Sequence, residues 1–147
     1  MSDLPASVLF VCSLNSIRSP MAEAILKSLH GRRIFVQSAG VRRGELDPLA
    51  VEVMDELGLD LARHRPKTLE ELEDGFFDLV VTLSPEAHHR ALEMTRESAC
   101  EVEFWRIPDP SLVEGSREQR LAAYRAVRDL LLRRIRERFP PAPVPAS

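Results

Sequence analysis

The order of apolar runs and amphipathic segments constrains the fold of this chain more than any other sequence feature. Four short apolar runs, rich in β-branched and aromatic residues, have the character of buried strands at residues 8–11, 34–37, 76–83 and 102–107. Helical patterns follow them at residues 20–29, 48–57, 85–94 and 117–138. Strands that alternate with helices form a mostly parallel sheet. We therefore predict an α/β fold of three layers, a doubly wound, four-stranded, mostly parallel sheet with helices on both faces.

The length and composition predict a single domain. The chain has 147 residues, of which 44% are hydrophobic, enough to bury a substantial core without a disulfide or metal. We predict one domain over residues 1–139, followed by a Pro-rich and disordered tail at residues 140–147. The two cysteines supply neither a disulfide framework nor a zinc site.

The charge and hydropathy patterns exclude two classes of partner. The net charge of −3 argues against binding to nucleic acid, since that affinity depends on many Lys and Arg contacts to phosphates. No run of about 18 apolar residues is present, so no membrane span is expected. The first residues lack the basic stretch of a secretory signal. We expect a cytoplasmic location.

The segment at residues 12–19, CSLNSIRS, joins the first predicted strand to the first predicted helix. Its C-x5-R-S spacing allows the intervening residues to curl, so that backbone N–H groups line a concave anion-binding site. The helix N-terminus adds partial positive charge, which favours an oxyanion and also a Cys12 thiolate. Arg18 offers a planar guanidinium that matches two phosphate oxygens. We predict a phosphate-binding loop with Cys12 as the nucleophile.

Individual loop residues have further predicted roles. Asn15 tolerates a left-handed backbone and can brace the loop from inside. Ser19 is expected to cap the helix, with Pro20 at its first position, and to donate a hydrogen bond to the Cys12 sulfur. A core cysteine at the end of a strand is the alternative interpretation of Cys12. The predicted phosphate-binding residues are Ser13, Leu14, Asn15, Ser16, Ile17, Arg18 and Ser19.

A second C-x5-R match, from Cys100 to Arg106, serves as an internal control. The pattern alone is weak evidence, because a chain this rich in arginine contains such matches by chance. The second match includes Glu101 and Glu103, which would repel an anion, and it lies in a predicted strand. We interpret Cys100 as a buried or half-buried structural thiol.

Asp109 follows the fourth predicted strand between two prolines, in the sequence Pro-Asp-Pro. The prolines hold the backbone stiffly around the carboxyl group, as a general acid requires. A turn or capping Asp is the alternative interpretation. Because ligands bind at the carboxyl ends of parallel strands, we expect Asp109 to meet the loop that contains Cys12.

These residues resemble those of the low molecular weight protein tyrosine phosphatases and the related thioredoxin-coupled arsenate reductases. The similarity runs from Val8 to about Phe139. It rests on VLFVCSLNSIRSPMAEAI, SAG at residues 38–40, LDPLAVEVMDELGLDLARHRPKTL, FDLVVTL and IPDP. The resemblance implies the phosphatase-like form of the doubly wound fold and a phosphocysteine mechanism without metal or cofactor. Cys12 would attack phosphorus, Arg18 would hold the phosphoryl group and Asp109 would protonate the leaving oxygen.

The resemblance also implies a supporting hydrogen-bond network. Asn15, Ser38 and His64 match the family's positions for it. Taken alone, a histidine such as His64 is more often a surface or helix-end residue.

Several positions depart from the family's usual pattern. Leu14 replaces a glycine and Ile17 replaces a second cysteine, which removes protection by a loop disulfide. The loop at residues 41–46 is short and carries no aromatic residue, and Ser111 and Leu112 stand where aromatic residues usually follow the Asp-Pro. A phosphotyrosine ring would lack its usual stacking walls. Arg42 and Arg43 instead offer positive charge near the predicted pocket, unless they are simply solvated.

Three functional hypotheses follow. The first is a phosphomonoester hydrolase that acts on phosphotyrosine proteins or small aryl phosphates and binds inorganic phosphate or a similar oxyanion. The second is an arsenate reductase-like protein, favoured by Asn15-Ser16 and by the WRIPDPSLVEGSREQRLAAYRAVRDLL stretch. That chemistry needs three cysteines, and this chain has Ser84 where one of them usually follows the third strand, with Cys100 at a different spacing. The third is a non-catalytic phosphate-binding module.

Overall fold

A computed structural model describes residues 4–72 and 75–141. Its strands are β1 (Ser7–Cys12), β2 (Phe35–Gly40), β3 (Leu79–Thr82) and β4 (Glu101–Phe104). Its helices are α1 (Arg18–His30), α2 (Pro48–Asp55), α3 (Pro85–Met94) and α4 (Arg117–Arg138), with 3₁₀ turns at Leu69–Glu71 and Pro110–Leu112. Of the predicted tail at residues 140–147, residues 142–147 lie outside the described residues.

The four strands form one parallel sheet in the order β2-β1-β3-β4. Strand β1 is central, and its last residue, Cys12, pairs with Gly40 at the end of β2. Val11 pairs with Thr82 at the end of β3, and Thr82 pairs with Phe104 at the end of β4. All four carboxyl ends therefore meet at one edge of the sheet, where parallel folds place their ligands.

Alternating side chains of β1 divide the core between the two faces of the sheet, as the period of two requires. Val8, Phe10 and Cys12 belong to a large apolar cluster shared with α1, α2 and α4. Leu9 and Val11 belong to a smaller cluster shared with α3. The predicted α/β fold with helices on both faces of a parallel sheet is confirmed.

The predicted start of α1 is wrong. The helix begins at Arg18, and its N-cap is Ile17, which makes no side-chain capping bond. Ser19 lies inside the first turn and its hydroxyl points instead toward the Cys12 sulfur. Asp47 does cap α2, by accepting a hydrogen bond from the Leu49 amide, as the sequence predicts.

Other boundaries also differ from the prediction. Strand β2 continues to Gly40 because its last residue still pairs with Cys12, whereas β3 and β4 are shorter than the apolar runs that contain them. Helix α2 ends at Asp55, three residues before Gly58, whose φ of 74° ends the turn that follows. No helix in the described part of the chain is long and apolar enough to cross a membrane.

Candidate active site

The cysteine loop, residues 12–18, curls back on its own first side chain. The backbone N–H of Asn15 donates to the Cys12 Sγ at 3.2 Å. Asn15 has a φ of 54°, the left-handed conformation that Asn tolerates better than most residues. A left-handed residue within a loop helps to build the concave N–H arrangements that bind anions. The curled backbone predicted for residues 12–18 is present.

The Cys12 sulfur lies at the base of this loop, with 2% of the residue exposed. The Ser19 Oγ is 2.8 Å from it. The Asn15 Nδ2 donates to the same hydroxyl at 2.8 Å, and two acceptors are within reach of the hydroxyl proton, the sulfur and, at 3.4 Å, the Ala39 carbonyl. A thiolate at this position would receive two hydrogen bonds, which stabilise its charge.

The Asn15 side chain connects the loop to three other segments. Its amide also donates to the Ser38 Oγ on β2 at 3.0 Å. Its Oδ1 is 2.9 Å from the His64 Nε2 and accepts from the backbone N–H of Lys67 at 3.0 Å. The structure thus brings Asn15, Ser19, Ser38 and His64 together, as expected from the family pattern.

Glu23 completes this network, and sequence reasoning missed it. Its Oε1 accepts from the Ser38 Oγ at 2.5 Å and lies 3.8 Å from the His64 Nδ1. Its Oε2 pairs with Lys27 at 2.5 Å. An acid on the largely buried face of α1, one turn after Ser19, was the available signal.

The surroundings of His64 favour its neutral form. Burial lowers the pKa of His64, and the nearby Glu23 carboxylate only partly opposes this effect. Neutral imidazole with the proton on Nε2 donates to the Asn15 Oδ1, which has no proton of its own to give. The ring therefore fixes which way the Asn15 amide faces.

Arg18 and Asp109 line the same cavity as Cys12. The Arg18 guanidinium donates to the carbonyls of Ile107 at 3.0 Å and Leu83 at 3.4 Å, so the ends of two strands orient it. Its Nη2 lies 4.0 Å from the Asp109 Oδ2. The Asp109 Oδ1 accepts from the amide and the hydroxyl of Ser111 at 2.9 and 2.6 Å. Asp109 is thus both a cap of the 3₁₀ turn and a side chain of this cavity, so the two interpretations hold together.

These groups line one cavity of about 200 Å³. Its walls are Cys12, Ser13, Leu14, Ser16, Ile17, Arg18, Arg42, Asp109 and Ser111. None of these wall residues is aromatic, in agreement with the missing stacking partners noted in the sequence. Leu14, 40% exposed, forms part of the wall where the family usually has glycine.

The rim of the cavity carries balanced charge. Arg42 reaches the cavity but forms an ion pair with Glu86 on α3. The hydrogen bond from Arg42 keeps the pKa of Glu86 below its usual value, so Glu86 stays ionised. Arg43 pairs with Glu71 and does not line the cavity. The positive charge expected from these two arginines is therefore largely compensated.

The loop at residues 41–44 is hydrogen-bonded along the backbone of the cysteine loop. The amides of Val41, Arg42 and Gly44 donate to the carbonyls of residues 12, 13 and 14 at 3.1, 2.9 and 2.9 Å. A side chain at Gly40 would place its Cβ 2.8 Å from the Asn15 amide nitrogen and 2.5 Å from the Arg42 carbonyl oxygen. Gly40 is therefore required for the close approach of the two loops.

Asp47 ties the cysteine loop to α4. Its backbone N–H donates to the Ser16 carbonyl at 3.2 Å, and its Oδ2 accepts from the Tyr124 hydroxyl at 2.6 Å. Burial and then this hydrogen bond raise the pKa of Tyr124 above its usual range, so the phenol remains a donor. The sequence indicated only a cap and a core residue at these two positions.

Cys100 lies away from the cavity. It borders a separate apolar pocket with Phe76, Phe77 and Met94, and its thiol donates to the Glu101 carbonyl at 3.2 Å. Burial is the main cause that raises the pKa of the Cys100 thiol. Ser84, in contrast, does reach the cysteine loop, since its Oγ is 3.1 Å from the Ser13 Oγ.

A buried sulfur in a curled loop, with an arginine and a carboxylate lining the same cavity, defines a cysteine-based site for oxyanion chemistry on a doubly wound fold. Within residues 4–72 and 75–141, no group of three or more His, Cys, Asp or Glu side chains could hold a metal ion. The chain belongs to the low molecular weight phosphotyrosine protein phosphatase family, whose model matches residues 7–140.

Relatives within this family carry two kinds of name. The arsenate reductase of Halalkalibacterium halodurans is 35% identical over 129 residues, which cover 88% of this chain and 91% of that protein. An arsenate reductase structure in the phosphate-binding state has a TM-score of 0.75 at 28% identity, covering 90% of this chain and 95% of that one. The YwlE arginine phosphatase of Geobacillus stearothermophilus has a TM-score of 0.73 at 28% identity, with 88% and 87% covered.

Proposed function

We propose that this protein is a phosphomonoester hydrolase that works through a phosphocysteine intermediate. The observation that carries the proposal is that Cys12, Arg18 and Asp109 line the same cavity. A nucleophile, a guanidinium that matches two phosphate oxygens and a carboxyl group are the three groups that such a reaction requires.

In the first step the Cys12 sulfur attacks the phosphorus of the substrate. The P–S bond forms while the bond from phosphorus to the leaving oxygen breaks, and Asp109 gives its proton to that oxygen. Arg18 and the loop N–H groups bind the equatorial oxygens of the transferring group. The hydrogen bonds from Asn15 and Ser19 to the sulfur stabilise the attacking thiolate.

In the second step water attacks the phosphocysteine, and the Asp109 carboxylate accepts a proton from it. The P–S bond breaks, inorganic phosphate leaves, and the sulfur returns to the thiolate. The same two hydrogen bonds make the sulfur a better leaving group, which is why a network beneath the cysteine serves both steps.

The proposed substrates are phosphotyrosine proteins or small aryl phosphates, with inorganic phosphate as the bound product. The wall of the cavity is small and not aromatic, which favours recognition mainly through the phosphoryl group. Because one structural neighbour is an arginine phosphatase, a substrate panel should include phosphoarginine peptides beside phosphotyrosine and alkyl phosphates.

The mechanism is tested by rapid quenching and by leaving-group dependence. During turnover of p-nitrophenyl phosphate, mass spectrometry of acid-quenched protein should show one added phosphoryl group on Cys12. Asp109→Asn should slow phenyl phosphate by about a hundredfold or more, and p-nitrophenyl phosphate by much less, because nitrophenolate needs little protonation. Glu114→Gln, on an exposed acid nearby, is the matched control. Hydrolysis without a phosphorylated Cys12 would contradict the proposal.

An arsenate reductase is the second candidate function, favoured by the relatives that bear this name. The cavity would hold arsenate as it holds phosphate. Reduction, however, needs thiols that pass electrons to a final disulfide, and Cys100 borders a different pocket from Cys12. Arsenate-dependent oxidation of NADPH by thioredoxin reductase and thioredoxin would support this function, and a rate equal to that without the protein would reject it.

A further inference from the structure

Asp109 lines two cavities rather than one. On one side is the cavity above Cys12. On the other is a groove of about 250 Å³, here called the apolar groove, between the Pro108–Pro110 segment and one face of α4. Its walls are Pro108, Asp109, Pro110, Val113, Ala123, Ala126, Val127 and Leu130. The proposed mechanism uses the first cavity and leaves the second without a role.

The walls of the groove are almost entirely apolar, and more apolar surface lies beside it. Leu112, 77% exposed, ends the short 3₁₀ turn, and Val113, 40% exposed, follows it. Exposed apolar residues that gather around a groove mark a contact surface more often than singly scattered ones do. The small residues Ala123 and Ala126 leave the space on the helix side.

The charges around the groove are mixed: Asp109 lies in its wall, and Glu114 follows the wall residue Val113 in the chain. Along α4, Arg120 precedes the groove-lining residues by about one turn and Arg133 follows them by about one turn. With charges of both signs at its margins and apolar residues along its walls, the groove suits an uncharged apolar side chain.

We propose that the apolar groove binds an apolar side chain that neighbours the phosphorylated residue of a protein substrate. This inference rests on the proposed phosphatase function and names the substrate more closely: a phosphoprotein segment with a Leu-like residue beside the phosphotyrosine. Because Asp109 borders both, the groove adjoins the cavity that Cys12 lines. Binding there supplies the contact that aromatic walls would otherwise provide, and it acts on protein substrates but not on small phosphates.

The test compares three phosphotyrosine peptides, in which glycines surround the phosphotyrosine or a Leu replaces the glycine directly before or directly after it. One apolar side chain in a half-open groove should raise kcat/KM about fivefold to tenfold over the all-glycine peptide. Ala126→Glu places a charged side chain in the groove and should abolish this preference, with p-nitrophenyl phosphate hydrolysis unchanged. Ala122→Glu makes the same change on the same helix at an exposed position outside the groove walls and should keep the preference.

Each other outcome overturns the proposal. Equal kcat/KM for the glycine and leucine peptides, or a leucine preference that survives Ala126→Glu, means that the groove does not bind the leucine side chain of the substrate.

A dimer that Ala126→Glu converts to a monomer in light scattering would make the groove a self-association surface. Removal of residues 141–147 that creates or abolishes the leucine preference would assign the groove to the chain's own tail. If p-nitrophenyl phosphate is hydrolysed while the preference is absent, only this inference fails; if neither substrate is hydrolysed, the proposed function fails with it.

Discussion

The two C-x5-R segments of this chain have the same spacing and opposite structures. Residues 12–18 curl into a loop around the Cys12 sulfur, whereas residues 100–106 contain the edge strand β4, paired along Glu101–Phe104 with β3. In the second segment the backbone groups are committed to the sheet, as in the bond from the Trp105 amide to the Thr82 carbonyl at 2.8 Å. Spacing alone therefore does not make an anion site; the backbone must also be released from the sheet at the cysteine.

Several local features free the backbone of the first segment from the sheet, and the second segment lacks them. Asn15 supplies the only positive φ of a non-glycine residue in the described parts of the chain. Gly40 allows the neighbouring loop to approach closely. Glu101 and Glu103, by contrast, place negative charge within the second segment. Paired substitutions in the two segments test this comparison directly.

The largest effect is expected from the two cysteines. Cys12→Ser should lower kcat/KM for p-nitrophenyl phosphate by at least about a thousandfold, because the serine hydroxyl is a far weaker nucleophile at neutral pH. Cys100→Ser should stay within about twofold of wild type. Comparable losses of kcat/KM in both variants would show that the two C-x5-R segments do not differ in function.

The arginines of the two segments, Arg18 and Arg106, should differ in their effect on kcat/KM as the two cysteines do. Arg18→Lys should reduce kcat/KM by about a hundredfold, because lysine keeps the charge but loses the planar fork and the bonds to the carbonyls of Leu83 and Ile107. Arg106→Lys, on an exposed residue, should have no measurable effect. Steady-state kinetics with p-nitrophenyl phosphate measures both, and full activity of Arg18→Lys would remove the proposed role of the guanidinium.

Asn15 should contribute to stability through its backbone and its side chain separately. Asn15→Gly keeps the left-handed backbone but loses the four side-chain hydrogen bonds to Ser19, Ser38, His64 and Lys67, at a cost of about 2 kcal/mol in the free energy of unfolding. Asn15→Ala should cost about 1 kcal/mol more, because alanine disfavours positive φ. Urea denaturation measures both, and equal stabilities of the two variants would deny the importance of the φ of 54°.

The smallest effect is the pH dependence contributed by His64. Burial lowers its pKa, so near and below the ordinary value of about 6.5 the unfolded chain binds more protons at this residue than the folded one. Its contribution to stability is therefore present at pH 7.5 and is lost as the pH falls toward 5.5. The free energy of unfolding should fall less steeply over this range in His64→Gln than in wild type.

His89 provides the control for this measurement, since its side chain is 82% exposed. His89→Gln should leave the pH dependence of wild type unchanged. A His64→Gln variant with the wild-type slope would mean that His64 does not keep its low pKa in solution.

The loop and its acid could be predicted from sequence because their signals are local. A strand, a polar loop of fixed length and a helix follow one another at residues 8–29, and Asp109 is marked by its two prolines. The family resemblance added Ser38 and His64, which sit far from Cys12 in the chain. The structure shows that both contact the Asn15 side chain directly. Its amide donates to the Ser38 Oγ, and its Oδ1 accepts from the His64 ring.

The missed residues depend on tertiary packing. Glu23 gains its place from Ser38 and His64, which lie 15 and 41 positions farther along the chain. The Asp47–Tyr124 bond spans 77 positions, and no short pattern encodes it. The N-cap error at Ser19 has a similar cause, since the curled cysteine loop lets the helix begin at Arg18 and leaves the Ser19 hydroxyl 2.8 Å from the Cys12 sulfur.

Leu14 and the Arg42–Glu86 pair bear on how a selective inhibitor could be made. The base of the cavity is held by the core and by Asn15, so we expect a vanadate-like inhibitor to bind there through the phosphate-binding groups. The rim departs from the family's usual pattern. Leu14 packs against Gly44, and the charge of Arg42 beside it is compensated by Glu86. Compounds that join a short phosphate mimic to a narrow aliphatic arm should therefore distinguish this enzyme from relatives that have an open, aromatic entrance.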